Sequence, residues 1–590
     1  MSKSKEKSKQ NVISTQLLSI GFALLLFMFG TIIFTSLAFF VGGGVSPVWP
    51  ILSFLGTVVL MYYYLNKKGV VLRRIIISIV AVFCLIGASI AIAGSFYDSS
   101  YDGNSYHKVA VGSLKNGWNP VYEDVASFNS QQGSHTVTGA KGLSDEDVGR
   151  MWLWINHYPK GGWVFAANIY SITGNIEAGK ATSLLIILAT FFIALAFFYT
   201  RIGRNKALII SLLLAANPII VTQMLSYYND GILGNVLILL FLFFAYLMSN
   251  KKDSGRFDTW FYLVGILMAI VLATGLKFTG LAYSGIVCVS YLVYFIVKKD
   301  WRIVKKLSII GGVALALSLG VVGASSYLSN TISHHNPFYP LAGKGSVDIM
   351  STQLPDGFKG KNRAYTFLKA NFSDTHDDQE VKPKLKIPFS ISKNEIEAIH
   401  TRYPDLRVAG YGVWFGGVLI LSFFIFLYLL VWRKIYKQKY FWMALVPITS
   451  VAVTALIFDN AWWARYLPQL IVLPIILIAI MFHLKFKTLP YILSFILLFN
   501  TMLTGALVLD FQTRYTNDAK AAIRENLKCN TESRAPEMWS AELHGTLYNI
   551  WDRCSAARTV PAGLAKSIPE ERLVDVYSGL HILLPPENVR

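Results

Sequence analysis

Apolar residues run along this chain in long unbroken blocks, separated by short polar stretches. The blocks lie near 17–40, 48–65, 75–95, 180–199, 207–225, 231–249, 259–275, 279–297, 307–325, 412–432, 441–458, 467–483 and 488–508. Roughly 20 such residues cross about 30 Å of hydrocarbon, so the pattern predicts about thirteen transmembrane helices. Lipid offers the backbone no hydrogen-bond partner, and uniform runs of this length answer that constraint as helices rather than barrel strands. The expected fold class is an all-α polytopic membrane protein.

The polar stretches alternate in character. Lys and Arg gather at Lys3–Lys9, Lys67–Arg74, Arg201–Lys206, Lys251–Arg256, Lys298–Lys306, Arg433–Lys439 and Lys485–Lys487, and the short loops between are almost free of them. The bias of basic residues toward the inner side makes these clusters cytoplasmic. The N-terminus is then expected inside and the C-terminal segment outside, in the plasma (inner) membrane of a bacterium. The Lys-rich start leads into a full-length span without a small-residue cleavage site, so no cleaved leader is expected.

Composition agrees, at 54% hydrophobic, 14% aromatic and 15% charged, with mean hydropathy +0.47 over 590 residues. The net charge of +20 is absorbed by the inner loops, so it is a topology signal and no nucleic-acid partner is expected. Those inner loops are too short to fold alone, which places the chemistry outside. The chain divides into an N-terminal tail with two extra spans (1–74), a membrane module (75–508) with external loops 96–179 and 326–411, and an external segment (509–590) expected to form a small helical cap. The stretch around Val164–Ile172 is apolar enough to lie along the membrane surface. Cys84 and Cys288 fall inside spans as small apolar residues. Cys529 and Cys554 both fall in the external tail, where oxidising conditions favour a disulfide between them.

The ionisable residues that are not cytoplasmic collect at one rim. Asp98, Asp102, Asp230 and Asp459, with Lys277 and Arg465, all sit at span ends that point outward, and span centres carry no Asp, Glu, Lys or Arg. A transporter would place some ionisable groups mid-membrane. An enzyme acting on a lipid headgroup would place them at this rim. In the first loop, Asp98 and Asp102 stand four apart near Tyr106 and His107, positioned to take a proton from a hydroxyl; the plainer reading is a capped, solvated loop. The same loop carries Trp154-Ile155-Asn156-His157-Tyr158-Pro159-Lys160-Gly161-Gly162-Trp163, suited to sugar stacking or to an ordinary interfacial aromatic belt. Asp230 ends the turn Tyr227-Tyr228-Asn229-Asp230-Gly231, as a tight turn would also want. Lys277 can snorkel or meet a phosphate, and Arg465, before Tyr466, has the planar fork that binds phosphate through two bonds.

In their order and sidedness these elements resemble the GT-C superfamily of polytopic glycosyltransferases, the group of the protein O-mannosyltransferases and the aminoarabinose transferases of lipid A. The acidic D-[DE]-x-x-[YFH] motif of the first loop is matched by Asp102-Gly103-Asn104-Ser105-Tyr106, with Gly103 in place of the second acid. An H-P-P-L-G-like element is similar to His157-Tyr158-Pro159-Lys160-Gly161, the second-turn acid to Asp230, and a late R-Y-x-x-P element to Arg465-Tyr466-Leu467-Pro468. The segment Asn336-Pro337-Phe338-Tyr339-Pro340 also resembles one in relatives of that group. The resemblance spans about 75–480. It implies transfer of a sugar, with inversion, from a polyprenyl-phosphate-linked donor to a hydroxyl of a glycan, glycolipid or protein. It further implies Asp102 as general base with Asp98 as the competing candidate, Asp230 orienting the acceptor or a neighbouring side chain, Arg465 and Lys277 on the donor phosphate, and Tyr106, His107, His157, Lys160 and Tyr466 near substrate. No cofactor is assigned; a divalent metal among converging carboxylates is the disfavoured alternative. The competing functions are a surface-polysaccharide polymerase or ligase, a lipid-linked glycan flippase or other transporter, and a non-catalytic scaffold.

Overall fold

The computed structural model describes residues 2–131, 145–249, 256–377, 379–402, 406–526, 538–541, 544–554, 558–559, 573–577 and 580–583. Among the described residues, ten helices are long and apolar enough to cross a membrane, and Phe415–Val431 and Pro468–His483 are shorter apolar helices. The protein is a multi-pass helical membrane protein. The remaining expected span, 207–225, is broken: Arg204–Ala215 ends and a short helix Pro218–Gln223 restarts. The cause is local. Pro218 has no N–H to continue the helix, and Asn217 caps the new one by accepting from Ile220 N at 3.3 Å. Asn235 donates to the freed carbonyl of Ala215 at 2.8 Å and accepts from Asn217 at 2.8 Å. Irregular backbone survives at membrane depth only with such partners. The break delivers the chain into the turn before Asp230, where the Gln223 side chain accepts from Gly231 N at 2.7 Å.

One large apolar core runs through the helices, and a second one forms a separate layer. The segment Gly161–Thr173 belongs to that layer; Trp163 to Tyr170 are buried against other helices, so it lies within protein rather than along the membrane surface. The first loop packs against it through Trp163, whose Nε1 donates to His107 Nδ1 at 2.6 Å. After Asp102 the chain takes a π-helical turn, Gly103–His107, a local widening that often marks a functional position. Gly103 is needed there: a Cβ on it would lie 2.0 Å from Asp98 Oδ2 and 2.4 Å from Ser100 Oγ. An acid at this position, as in the resembling motif, has no room.

The C-terminal segment differs from the expected helical cap. It carries β1 (Met538–Ala541), β2 (Arg558–Thr559), β3 (Leu573–Tyr577) and β4 (Leu580–Leu583) in a four-stranded sheet of order β2-β1-β4-β3. Strands β1 and β2 are parallel, and β4 pairs antiparallel with both β1 and β3. Runs such as Leu573-Val574-Asp575-Val576-Tyr577 are short and β-branched, which favours strands over a helix. The residues before β2 lock onto the first loop, since a Cβ on Gly545 would lie 2.5 Å from Asn104 O and one on Gly112 would enter the Tyr548 ring. Cys554 is described; Cys529, and with it the expected disulfide, lies outside the described residues.

Two outcomes follow. Gly103→Ala should destabilise the protein by about 1–3 kcal/mol, because the added methyl must displace Asp98 or Ser100; thermal unfolding in detergent reads this, and an unchanged Tm removes the packing role. Burial lowers the His107 pKa from 6.5 to about 4, and its Nδ1 can accept from Trp163 only when unprotonated. The unfolded chain then binds the proton more readily, so stability present above pH 6.5 is lost as pH falls toward 4, by roughly 3 kcal/mol. His107→Gln should flatten that slope in Tm measured between pH 4 and 7.

Candidate functional site

Four charged side chains from four separate segments meet at one end of the helix bundle. Asp230 opens the helix Asp230–Ser249 and is fixed by the turn that the helix break creates. Its Oδ1 accepts from Lys277 Nζ at 2.6 Å and its Oδ2 from Arg465 Nε at 2.9 Å. Lys277 stands in the single-residue gap between Arg256–Leu276 and Phe278–Val297, in extended backbone that aims it across this space. Arg465 comes from the short turns that precede Pro468–Ile471, and its Nη2 reaches Asp102 Oδ2 at 3.2 Å. One guanidinium thus bridges the acid of the first loop and the acid of the second turn.

Aromatic rings seat the two cations. The Arg465 guanidinium lies 4.4 Å from the Tyr228 ring centroid and 5.2 Å from that of Trp463, while Lys277 Nζ lies 4.4 Å from that of Tyr466. A desolvated cation gains about 2 kcal/mol or more from such a face. Burial is graded across the group. The Asp230 side chain is 3% exposed, and Asp102 is 23% exposed. A small apolar void of about 10 Å³ lies between the buried side chains of Ile232, Val236, Leu272, Leu276 and Val322. Ile232 and Leu276 stand two residues from Asp230 and one from Lys277, so the void lies among the helix ends next to two of the charges.

The structure brings Asp102, Asp230, Lys277, Arg465 and Tyr466 together, and places Tyr106 and His107 in the adjoining wall. The Tyr106 ring stacks near His107 at 4.3 Å and meets Tyr158 and Trp163 edge-on. Burial, with the Asp102 charge beside it, pushes the Tyr106 phenol well above its ordinary value. Three other candidates lie elsewhere. His157 bonds Asn330 Oδ1 through Nδ1 at 2.7 Å and packs edge-on against His334 and Tyr339. Lys160 is fully buried and donates to the carbonyls of Asn156, Tyr158 and Ser325 at 2.7, 3.1 and 3.2 Å. Burial brings its pKa down to about 7, and the ammonium ties the first loop to the second.

Asp98 belongs to a separate buried network. Its two carboxylate oxygens accept from Ser100 N and Tyr227 N, both at 2.8 Å, so it holds the loop of Asp102 and the turn of Asp230 at once. Burial pushes its carboxyl upward, against the opposing pull of Lys108 and Lys180. Beside it, Glu177 is gripped by Lys108 at 2.5 Å and Lys180 at 2.6 Å, and accepts from Asn549 of the C-terminal segment at 2.8 Å. Lys108 also donates to Asn549 Oδ1 at 2.9 Å. Glu177, Lys108, Lys180, Asn549 and the ring of Tyr228 were not candidates from sequence. A signal existed for one pair, since Glu177 and Lys180 stand three apart at the mouth of an apolar span. Among the described residues, no three His, Cys, Asp or Glu side chains gather as a metal-ligand set.

No family model matches the chain, and no curated protein does. Among solved structures, the chain is similar to ArnT from Cupriavidus metallidurans bound to undecaprenyl phosphate, with TM-score 0.43 and 13% identity over 84% of this chain and 89% of that one. It is likewise similar to ArnT from Cupriavidus metallidurans in the apo state, with TM-score 0.42 and 12% identity over 80% and 83% of the two chains.

Proposed function

We propose that this protein is an inverting membrane glycosyltransferase that moves a sugar from a polyprenyl-phosphate-linked donor to an acceptor hydroxyl at the outer face of a bacterial plasma membrane. The observation that carries the reading is Arg465 held between Asp102 and Asp230, with Lys277 beside it, at the ends of apolar membrane helices. Cations at the end of an apolar helix bundle suit a ligand with an anionic head and a long hydrocarbon tail. The prenyl chain would stay in the bilayer and the phosphate would meet Arg465 and Lys277.

In the proposed step the acceptor oxygen attacks the anomeric carbon. A new C–O bond forms, the bond from that carbon to the phosphate oxygen breaks, and the phosphate leaves with the electron pair. Asp102, the more exposed carboxylate of the cluster, takes the hydroxyl proton. Arg465 and Lys277 stabilise the charge growing on the departing phosphate, the kind of contribution that is usually largest in such reactions. Asp230 orients both cations. Asp98 is assigned a positioning role, because both of its oxygens are committed to backbone N–H groups. Tyr106 and His107 shape the sugar pocket, Tyr466 seats Lys277, and His157 and Lys160 hold the loops. The acceptor belongs to the glycans, glycolipids or proteins of the cell envelope, and no metal is assigned.

Asp102→Asn keeps size and shape and removes the base, so transfer should fall on the order of 10²- to 10⁴-fold with Tm unchanged. The measurement is recovery of the missing surface sugar in a deletion strain carrying wild type or the variant at matched expression; full recovery by the variant would remove Asp102 as base. Arg465→Ala should weaken binding of the polyprenyl-phosphate sugar, read by titration in nanodiscs. An unchanged donor affinity there would sink the phosphate assignment.

A further inference from the structure

We propose that the strap Leu385–Ile391 of the second external segment is a membrane anchor that inserts into the outer leaflet and takes anionic phospholipid as its partner. The proposal is independent of the reaction assigned above. The strap reads Leu385-Lys386-Ile387-Pro388-Phe389-Ser390-Ile391, and its four large apolar side chains are exposed, Leu385 at 65% and Ile387 at 78%. Surfaces that face water rarely carry so dense an apolar patch.

Its depth follows from its contacts. Helix Phe415–Val431 has 17 residues, about 25 Å, which falls short of the hydrocarbon thickness of about 30 Å. Trp414, at its outer end, stacks on Phe499 of the helix Leu489–Asn526 with ring centroids 4.5 Å apart. Its N–H donates to Asn500 Oδ1 at 2.9 Å. Phe499 stands ten residues from Leu489, about 15 Å from the basic inner end of that helix and therefore within the hydrocarbon. Phe389 rests on this pair: its ring lies 6.2 Å from that of Trp414 and fills the space over Gly417. Phe389 takes φ +65° to do so, a conformation a bulky residue adopts only when its surroundings enforce it. The exposed face of the strap is thus continuous with Phe495, Phe499 and Met502, which line the lipid-facing side of the long helix.

The charges fit a headgroup layer. Lys382, Lys384 and Lys393 are exposed and flank the apolar tip, while Lys386 is paired with Glu395 at 2.6 Å and is not available. Long lysine stems run along apolar surface and lift the ammonium to the phosphate level. Each such lysine near an anionic surface strengthens attachment about fivefold. The same segment reaches the site, since Phe358 meets Trp462 edge-on and the Arg407 guanidinium lies 5.3 Å from the Trp463 ring centroid, two residues before Arg465. Anchoring the strap would brace that turn against the bilayer.

The test places an environment-sensitive NBD label at Ile387→Cys, and separately at Leu385→Cys, in the full chain in nanodiscs of phosphatidylcholine with or without phosphatidylglycerol. The labelled parent chain serves as blank. Emission should be blue-shifted, lose most of its intensity to doxyl-labelled lipid and resist iodide. Adding phosphatidylglycerol should deepen the doxyl quenching, and Lys382→Gln, Lys384→Gln and Lys393→Gln together should abolish that increase. Strong iodide quenching without doxyl quenching overturns the anchor in favour of a water-facing loop. Label self-quenching or cross-linking between two chains overturns it in favour of a second copy, and quenching indifferent to phosphatidylglycerol overturns the anionic partner.

Discussion

A carboxylate taken out of water must be answered by cations, and one rim of this protein is organised around that requirement at Asp230. Removing one partner from a buried ion pair costs about 3–5 kcal/mol, because the other charge is left unmatched. Asp230 therefore fixes Lys277 and Arg465 in place rather than merely attracting them. Each of those cations sits where its chain segment is shortest and least able to move: a one-residue gap between helices for Lys277 and a run of tight turns for Arg465. The helix break at Asn217-Pro218 is part of the same device, since it sets the turn on which Asp230 is mounted.

Rigid placement of Asp102 needs a second support, and the network of Asp98, Glu177, Lys108 and Lys180 supplies it one layer away. Asp98 ties the loop of Asp102 to the turn of Asp230 through two backbone N–H groups, so a shift in either would be felt by both. Glu177 holds two lysines in a space with almost no water, and Asn549 completes its set of partners. The C-terminal segment is therefore structural to the rim, a role its soluble composition does not suggest.

The membrane character and the gathering of Asp102, Asp230, Lys277 and Arg465 at one rim were legible in the sequence. They share one cause: water and lipid impose opposite demands at a span end, and only a few residues can be spared to carry charge there. What was hidden depends on partners far away in the chain. His157 and Lys160 belong to a motif that reads as a substrate contact, yet Asn330 and the carbonyl of Ser325, both in the second external segment, turn them into loop fasteners. Glu177 looks like a stray acid until Lys108 and Asn549 arrive from either side of it in sequence. The span 207–225 reads as continuous because Asn217-Pro218 is only two residues in an apolar run, and the compensating Asn235 lies on the next helix. The strands of the tail are too short to compete, on periodicity alone, with a helical reading.

The grading of burial across the four rim charges bears on how the proposed reaction would begin. At rest, two carboxylates and two cations cancel. A sugar phosphodiester brings one negative charge, and it must displace a carboxylate from Arg465 or leave an excess of like charge in the cluster. The contact to Asp102 is the longest of the three, at 3.2 Å, and its carboxylate is the more exposed. A longer, partly exposed ion pair contributes less than a buried one, and breaking the buried contact to Asp230 costs about 3–5 kcal/mol. The donor phosphate would then replace Asp102 and spare Asp230. Released from the guanidinium, the Asp102 carboxylate can turn to the acceptor hydroxyl. On this reading, arrival of the donor itself arms the base, and the unequal burial of two otherwise identical side chains decides which of them serves.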